Sequence, residues 1–355
     1  MAGHDIIVVG TSSGGVEVLV QLVGGLPGGL PATIFVVCHF PSNWRSVLPD
    51  ILSRSGPLLA QHARDGDATH PGHIYVAPPG SHMLVEDGRV RLSNGPRENN
   101  HRPAIDPLFR SAARVYGRRV VGVVLTGALS DGVAGLLAVR AAGGVAVVQD
   151  PKDARVPSMP LLAMQVAGAD FVVPAHALAA RLVELVDHPV PSTGGANMAD
   201  PLEHMPQVAE HDMQAQETGA RRGQISTFSC PECGGCLWQV DENDLVRFRC
   251  HVGHAYYGEA LLQEQTDALE AALWTAVRTF REKAVLSRQL ALQADGHGDG
   301  DAAGRFTEQG QLAQSYGEVI QQMLLHGPGV GAAANATAGP KTPADPLPPP
   351  RAPRK

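Results

Sequence analysis

Six short apolar runs punctuate residues 5 to 188: IIVVG from Ile6, ATIFVVCHF from Ala32, GHIYVAPPG from Gly72, VVGVVLTG from Val120, GGVAVVQD from Gly143 and ADFVVPA from Ala169. Each is apolar throughout rather than on alternate residues. Strands of that kind need cover on both faces, as in a parallel sheet flanked by helices. The stretches between them carry the helical period, for example Val16, Leu19, Val20, Leu22 and Val23. The pattern predicts an α/β fold with a doubly wound, mostly parallel sheet. A further segment, HMLVEDGRVRLS, alternates about Asp87-Gly88 and predicts a β-hairpin at a sheet edge.

Beyond residue 188 the texture changes. Residues 189–224 are polar and rich in Pro, Gly and Met, the composition of a flexible linker. A small Cys/His module is expected over 225–257, a helical segment over 258–326 and a disordered tail over 327–355. In the helical segment Leu261, Leu262, Leu269, Leu273, Val277 and Phe280 suggest one apolar stripe. It would either dock on a helical partner or pack on the helix expected from Arg305 to Leu325. The net charge of −7 argues against general nucleic-acid binding. No apolar run approaches the length of a membrane span and no signal peptide is evident, so a cytoplasmic protein is expected.

Where the first apolar run gives way to a helical pattern, the chain reads Gly10-Thr11-Ser12-Ser13-Gly14. A dinucleotide-binding turn would need Gly at position 12, and a phosphate-binding P-loop would need a Lys before its Ser or Thr. Neither is present. The pattern that fits is G-x-S-x-G, a sharp strand-to-helix turn that lifts the Ser12 hydroxyl above the sheet beside backbone amides. A glycine-rich turn with a serine helix cap would look the same. A serine hydroxyl is a weak nucleophile without a base, and the base must be oriented by a third group. In a parallel sheet such groups sit beyond the carboxyl ends of strands. His39 ends ATIFVVCHF, and Asp131 follows VVGVVLTG at the start of a helix, so both are placed as a triad requires. His101 is a further candidate for contact with substrate.

The stretches VVGTSSGGVEVL, VVCHFP, PGHIYVAPPGSHM, NNHRPAIDPLF and GVVLTGALSDGVAGLLAVRAAGG, in that order, resemble the catalytic domain of chemotaxis protein-glutamate methylesterases over residues 5 to 187. The resemblance implies Ser12 as nucleophile, His39 as base and Asp131 as orienting acid, with the backbone N–H groups of Ser13 and Ala128 as oxyanion donors. The family has Met where this chain has Ala128, a change that leaves the backbone donor in place. It implies hydrolysis of glutamate γ-methyl esters on the cytoplasmic helices of methylated chemoreceptors, within a chemotaxis-type methyltransferase system, without a catalytic cofactor. Some members also deamidate glutamines. Arg102 would hold acidic groups around the substrate. The family's best-known members carry a phospho-receiver domain ahead of the catalytic domain. This sequence begins almost at the first catalytic strand, so that switch is expected to be missing. Rival expectations are a catalytically weak scaffold that docks partners through the Cys/His module and helices, and an esterase of a non-receptor substrate.

Four of the five cysteines lie between Cys230 and Cys250. CPEC followed by RCHVGH gives C-x2-C and C-x3-H, which suits tetrahedral zinc held by Cys230, Cys233, Cys250 and His254. His251 and Cys236 are alternative ligands. The segment resembles a zinc-ribbon-like extension of some stand-alone family members, and a closed structural site that folds apart from the catalytic domain is expected.

Overall fold

The computed structural model describes residues 3–40, 46–188, 223–242 and 245–326. The expected tail and all but the last two residues of the expected linker lie outside the described residues. Described residues up to Glu264 form one compact unit, and those from Gln265 form another.

The first unit is built on seven strands: β1 (Ile6–Thr11), β2 (Thr33–Cys38), β3 (Leu59–His62), β4 (His73–Val76), β7 (Val120–Val124), β8 (Val145–Gln149) and β9 (Phe171–Val173). They lie in the order β3-β4-β2-β1-β7-β8-β9, with every neighbouring pair parallel. The six continuous apolar runs account for six of these strands, because both faces of the sheet are covered. On one face lie α1 (Gly15–Gly24), α2 (Leu48–Ser55) and α6 (Leu178–Asp187). They pack Leu19, Leu22, Leu52 and Leu182 against Ile7, Val9, Ile34 and Val36. On the other, α3 (Ile105–Tyr116) and α4 (Val133–Ala141) pack Leu108, Phe109, Leu136 and Val139 against Val8, Phe35 and Val124. A short α5 (Ser158–Leu162) follows β8. Leu19 and Leu52 are fully buried, so truncating either to Ala costs about 2–5 kcal/mol. From β1 the chain winds outward through β2 and later returns on the other side through β7. The carboxyl ends of β1, β2 and β7 therefore border the crevice at which a doubly wound sheet reverses direction.

Two features depart from the sequence-based expectation. The predicted hairpin forms as β5 (His82–Glu86) and β6 (Arg89–Ser93), but it is a separate two-stranded sheet rather than an edge of the main one. It packs on α3, where the Ser111 hydroxyl accepts from the Val85 amide and the Tyr116 hydroxyl accepts from the Gly88 amide. The edge strand β3 was not foreseen, since only Ala60 of its four residues is buried and Leu59 is exposed.

The Cys/His segment forms a four-stranded antiparallel meander: β10 (Gln224–Ser229), β11 (Cys236–Glu242), β12 (Leu245–Cys250) and β13 (Ala255–Tyr257). Its core is small, comprising Leu237, Phe248, Tyr256 and Leu261 with Cys230 and Cys250. Helix α7 (Gly258–Gly296) begins in this unit.

In the second unit the rest of α7 pairs with α8 (Gly300–His326). Phe280 meets Tyr316 edge-on at 5.7 Å, and the Arg281 guanidinium donates to Gln321 at 2.6 Å. Gly310 and Gly317 allow the helices to approach, since a Cβ at either would lie 3.3 Å from a Cβ of α7. Of the predicted stripe, Leu261 and Val277 are buried and Leu262 and Leu269 are exposed. Among the described residues no helix is long and apolar enough to cross a membrane.

Candidate active site

Ser12 follows the last residue of β1, and α1 begins three residues later at Gly15. Gly14 makes the turn in the left-handed region, φ 80°, where a side chain would be strained and would run into Arg155. Thr126, beyond the end of β7, ties the turn down. Its carbonyl accepts from the Ser12 amide at 3.0 Å and from the Thr11 hydroxyl at 2.9 Å, and its own hydroxyl donates to the Ser13 carbonyl. Gly127 lies so close that a Cβ there would meet the Ser12 Cβ at 2.8 Å and the Met159 methyl at 2.6 Å.

His39 immediately follows β2. Its Nδ1 lies 3.2 Å from Ser12 Oγ and its Nε2 lies 2.8 Å from Asp131 Oδ2. Asp131 precedes α4 and is buried. An ionised carboxylate only accepts, so the imidazole proton sits on Nε2 and leaves Nδ1 to accept a hydrogen bond from the Ser12 hydroxyl. The three residues placed by sequence at three strand ends are thus joined in one hydrogen-bonded line. The neighbouring Cys38 thiol is buried, and burial pushes it up to about 12, so it stays protonated.

Four donors converge on Asp131. Oδ2 accepts from His39 Nε2 and from the Ile105 amide at 2.7 Å; Oδ1 accepts from Asn99 Nδ2 at 3.1 Å and from the Asp106 amide at 3.3 Å. Burial opposes its charge, but the hydrogen bond from His39, with that from the Ile105 amide, holds the carboxyl well below the usual range. Beside it, Asp106 is pushed up to about 7 by burial and by the Asp131 charge. Asp106 Oδ1 accepts from the amides of Gly132 and Gly135 and Oδ2 from Asn99, which pins the start of α4 under Asp131.

His101 stacks flat on His39, ring centroids 3.6 Å apart and planes 15° from parallel. Burial first, and then the neighbouring His39, push it down to about 3, so it is a neutral plate that fixes the plane of the His39 ring. Asn99, Asp106 and this use of His101 were not anticipated, although NNHRPAIDPLF contains all three. The signal was the Asn-Asn pair: Asn99 and Asn100 have φ of 49° and 66°, the geometry of a two-residue hairpin turn in which Asn is favoured. Glu98 and His101 close that turn with reciprocal backbone hydrogen bonds.

The amides of Ser13 and Ala128 have no hydrogen-bond partner among the described residues. The segment after Ala128 carries a left-handed Leu129, φ 65°. Arg102 Nη1 donates to the carbonyls of Asn94 and Gly95, which commits that nitrogen to holding its own loop.

A sequence model of CheB methylesterase matches residues 7–182. The solved catalytic domain of the Thermotoga maritima CheB methylesterase is 34% identical, with a TM-score of 0.50, and the match covers 52% of this chain and 100% of that one. The chain belongs to the CheB methylesterase family. Among curated relatives, a protein-glutamate methylesterase/protein-glutamine glutaminase of Anaeromyxobacter dehalogenans is 38% identical over 181 residues, 51% of this chain and 53% of its own length. One from Symbiobacterium thermophilum is 36% identical over 182 residues, 51% and 50% of the two lengths. The chain spans about half the length of these relatives. The CheB match ends at 182, so the Cys/His module lies outside it.

In that module Cys230, Cys233, Cys250 and His254 gather with their ligand atoms within 4.8 Å of one another. The Cys233 and Cys250 sulfurs are 3.5 Å apart, and His254 Nδ1 lies 3.7 Å from Cys230 Sγ and 3.5 Å from Cys250 Sγ. These are about the edge lengths of a tetrahedron with metal–ligand bonds of about 2.0–2.3 Å. Glu232 Oε2 takes the other ring nitrogen of His254 at 2.7 Å, which turns Nδ1 toward the sulfurs. Cys236 Sγ instead lies near the carbonyls of Ser226 and Leu237, and His251 is exposed near Trp238, so neither joins the cluster.

Proposed function

We propose that the chain is a serine hydrolase that removes methyl esters from glutamate side chains. One observation carries this reading: His39 bridges Ser12 and a fully hydrogen-bonded Asp131 at 3.2 and 2.8 Å. In the first step Ser12 Oγ attacks the ester carbonyl while His39 Nδ1 takes its proton. Asp131 stabilises the imidazolium through Nε2–H. The backbone N–H groups of Ser13 and Ala128 hold the oxyanion, and His39 returns the proton to the departing methoxide, so methanol leaves and a glutamyl-Ser12 ester remains. Water, deprotonated by the same nitrogen, then releases the glutamate and restores Ser12. A glutamine amide would pass through the same acyl-enzyme with ammonia as leaving group, in keeping with the double names of the relatives. The ester-bearing protein is a methylated chemoreceptor in a chemotaxis-type signalling system, located in the cytoplasm. Arg102 would meet acidic groups of the substrate only through nitrogens other than Nη1.

The three thiolates and one imidazole are the donor set that zinc prefers, and with four protein ligands the site is closed. Zinc there supplies folding free energy and no catalytic step. Cys230, Cys233, Cys250 and His254 would hold it, with Glu232 orienting His254.

Methanol release from a peptide bearing glutamate γ-methyl ester tests the assignment. Ser12→Ala is expected to abolish it and Ser13→Ala to leave much of it. Equal rates in the wild type and Ser12→Ala would reject the nucleophile, and a wild type active on simple esters but inert on the peptide would reject the substrate.

A further inference from the structure

The Cys/His meander is not an appendage free of the catalytic domain. Its outermost strand, β13, accepts the catalytic domain as a further partner. The Asn99 amide donates to the Ala255 carbonyl at 2.8 Å, the Ala255 amide donates to the Arg97 carbonyl, and Glu98 and Ala255 form a parallel bridge. The Tyr257 amide donates to Asn99 Oδ1 at 3.2 Å. That bond fixes which end of the Asn99 amide faces inward, and its nitrogen is then the end that reaches Asp131 and Asp106. Two residues along the same turn, His101 lies against His39.

Side chains reinforce the contact. Glu98 is buried between Arg110 of α3 and Arg247 of β12, at 2.7 and 3.2 Å. Burial alone would raise its pKa, but Arg110 and then Arg247 hold it down to about 2, so the carboxylate is charged and needs both cations. At the rim Arg97 pairs with Glu232, the residue that orients His254. Gly253 adopts φ 109° against Pro96, where a Cβ would come within 2.9 Å of the ring.

The hairpin that makes these contacts is the one the Cys/His cluster shapes. Cys250 ends β12, His254 precedes β13, and the turn between them is closed by the Cys250 amide on the His254 carbonyl. We propose that metal binding by Cys230, Cys233, Cys250 and His254 sets the catalytic site: the ordered β12–β13 hairpin clasps the Glu98–His101 turn, which holds Asp131 through Asn99 and His39 through His101. Asn99 and His101 are positioning residues, and Arg247 is the clasp. The module is thus a built-in activator. This rests on the serine-hydrolase reading, but its structural half is testable without it.

The test uses the full chain. Arg247→Leu, Arg247→Lys and Asn99→Ala are compared with wild type for zinc content, amide exchange over 97–106, and kcat and KM on the methyl-ester peptide, with Ser12→Ala as blank. Losing a hydrogen bond to a charged group in this chain of contacts predicts a kcat roughly ten- to a hundredfold lower in zinc-loaded Arg247→Leu, with KM unchanged. Exchange of the Asn99, Ile105 and Asp106 amides should rise. Arg247→Lys should recover part of both. Removing zinc from the wild type with a chelator should raise the same exchange. Arg247→Leu that keeps zinc and shows raised exchange at wild-type kcat would overturn the coupling. If that variant loses zinc, Asn99→Ala decides, since it touches no metal ligand; wild-type kcat there overturns the proposal. Should the wild type prove no faster than Ser12→Ala, the esterase reading fails on its own, and exchange at Ile105 and Asp106 still decides whether the clasp exists.

Discussion

Asp131→Asn changes one atom and should disable the site from two directions. The four donors around the carboxylate leave no place for an N–H group. If the new amide nitrogen faces His39 and the Ile105 amide, His39 can accept only by moving its proton to Nδ1, and it can then no longer take the Ser12 proton. If it faces Asn99 and the Asp106 amide, Asn99 cannot simply rotate, because its oxygen is held by the Tyr257 amide. Either way two buried donors lose an acceptor, at about 1–3 kcal/mol each, so unfolding stability should fall by roughly 2–6 kcal/mol. The imidazolium also loses its counter-charge. A carboxylate-to-amide change in a triad lowers kcat by about 10⁴, or roughly 5 kcal/mol of barrier. The assays are methanol release from the methyl-ester peptide under saturating substrate and urea unfolding of the same preparation. A variant retaining a tenth or more of wild-type kcat would refute the inference that Asp131 fixes the tautomer of His39, even if its stability falls.

Other consequences follow from the same contacts. Asp106 is raised to about 7, so it binds its proton more tightly folded than unfolded. The stability this contributes is full below the ordinary carboxylate range and is lost as pH rises through 7. The stability advantage of wild type over Asp106→Asn, measured by urea unfolding, should therefore shrink from pH 5 to pH 8; an advantage that grows with pH would contradict it. Gly127→Ala drives a methyl into Ser12 and Met159 and should lower kcat with the overall fold retained, read by methanol release and circular dichroism. Unchanged kcat would show that the segment after β7 gives way freely. Cys233→Ser should lose the metal, seen by metal analysis of the purified chain, whereas Cys236→Ser should keep it. Equal loss in both would mean the ligand set differs.

The main sheet was legible because its strands are buried on both faces and so read as uninterrupted apolar runs. Edge strand β3 escaped for the converse reason: Leu59 faces solvent and only Ala60 is buried, which leaves no run to see. The meeting of Ser12, His39 and Asp131 was legible because Ser12 and His39 directly follow β1 and β2 and Asp131 lies in the connection from β7 to α4, where topology alone brings them together. Residues that support them from loops were not. Asn99 and His101 act through a turn whose position over the site depends on Glu98, Arg110 and a strand more than 140 residues away, at Arg247. No local pattern encodes that meeting. Glu232 was hidden in the same way, between two cysteines that drew attention as ligands while its own partner, His254, lay on the second knuckle. Cys230, Cys233, Cys250 and His254 gather as their spacing suggested, but the segment was expected to stand apart, because the residues that dock it are ordinary ones.

The claim that carries most weight is that Ser12 becomes acylated. The methyl-ester peptide, mixed with the full chain and quenched in acid before the steady state, should leave an adduct equal to the peptide less methanol. Proteolysis and mass spectrometry should map it to Ser12, and Ser12→Ala should carry none. Methanol release with no adduct on the wild type, and undiminished in Ser12→Ala, would contradict the account.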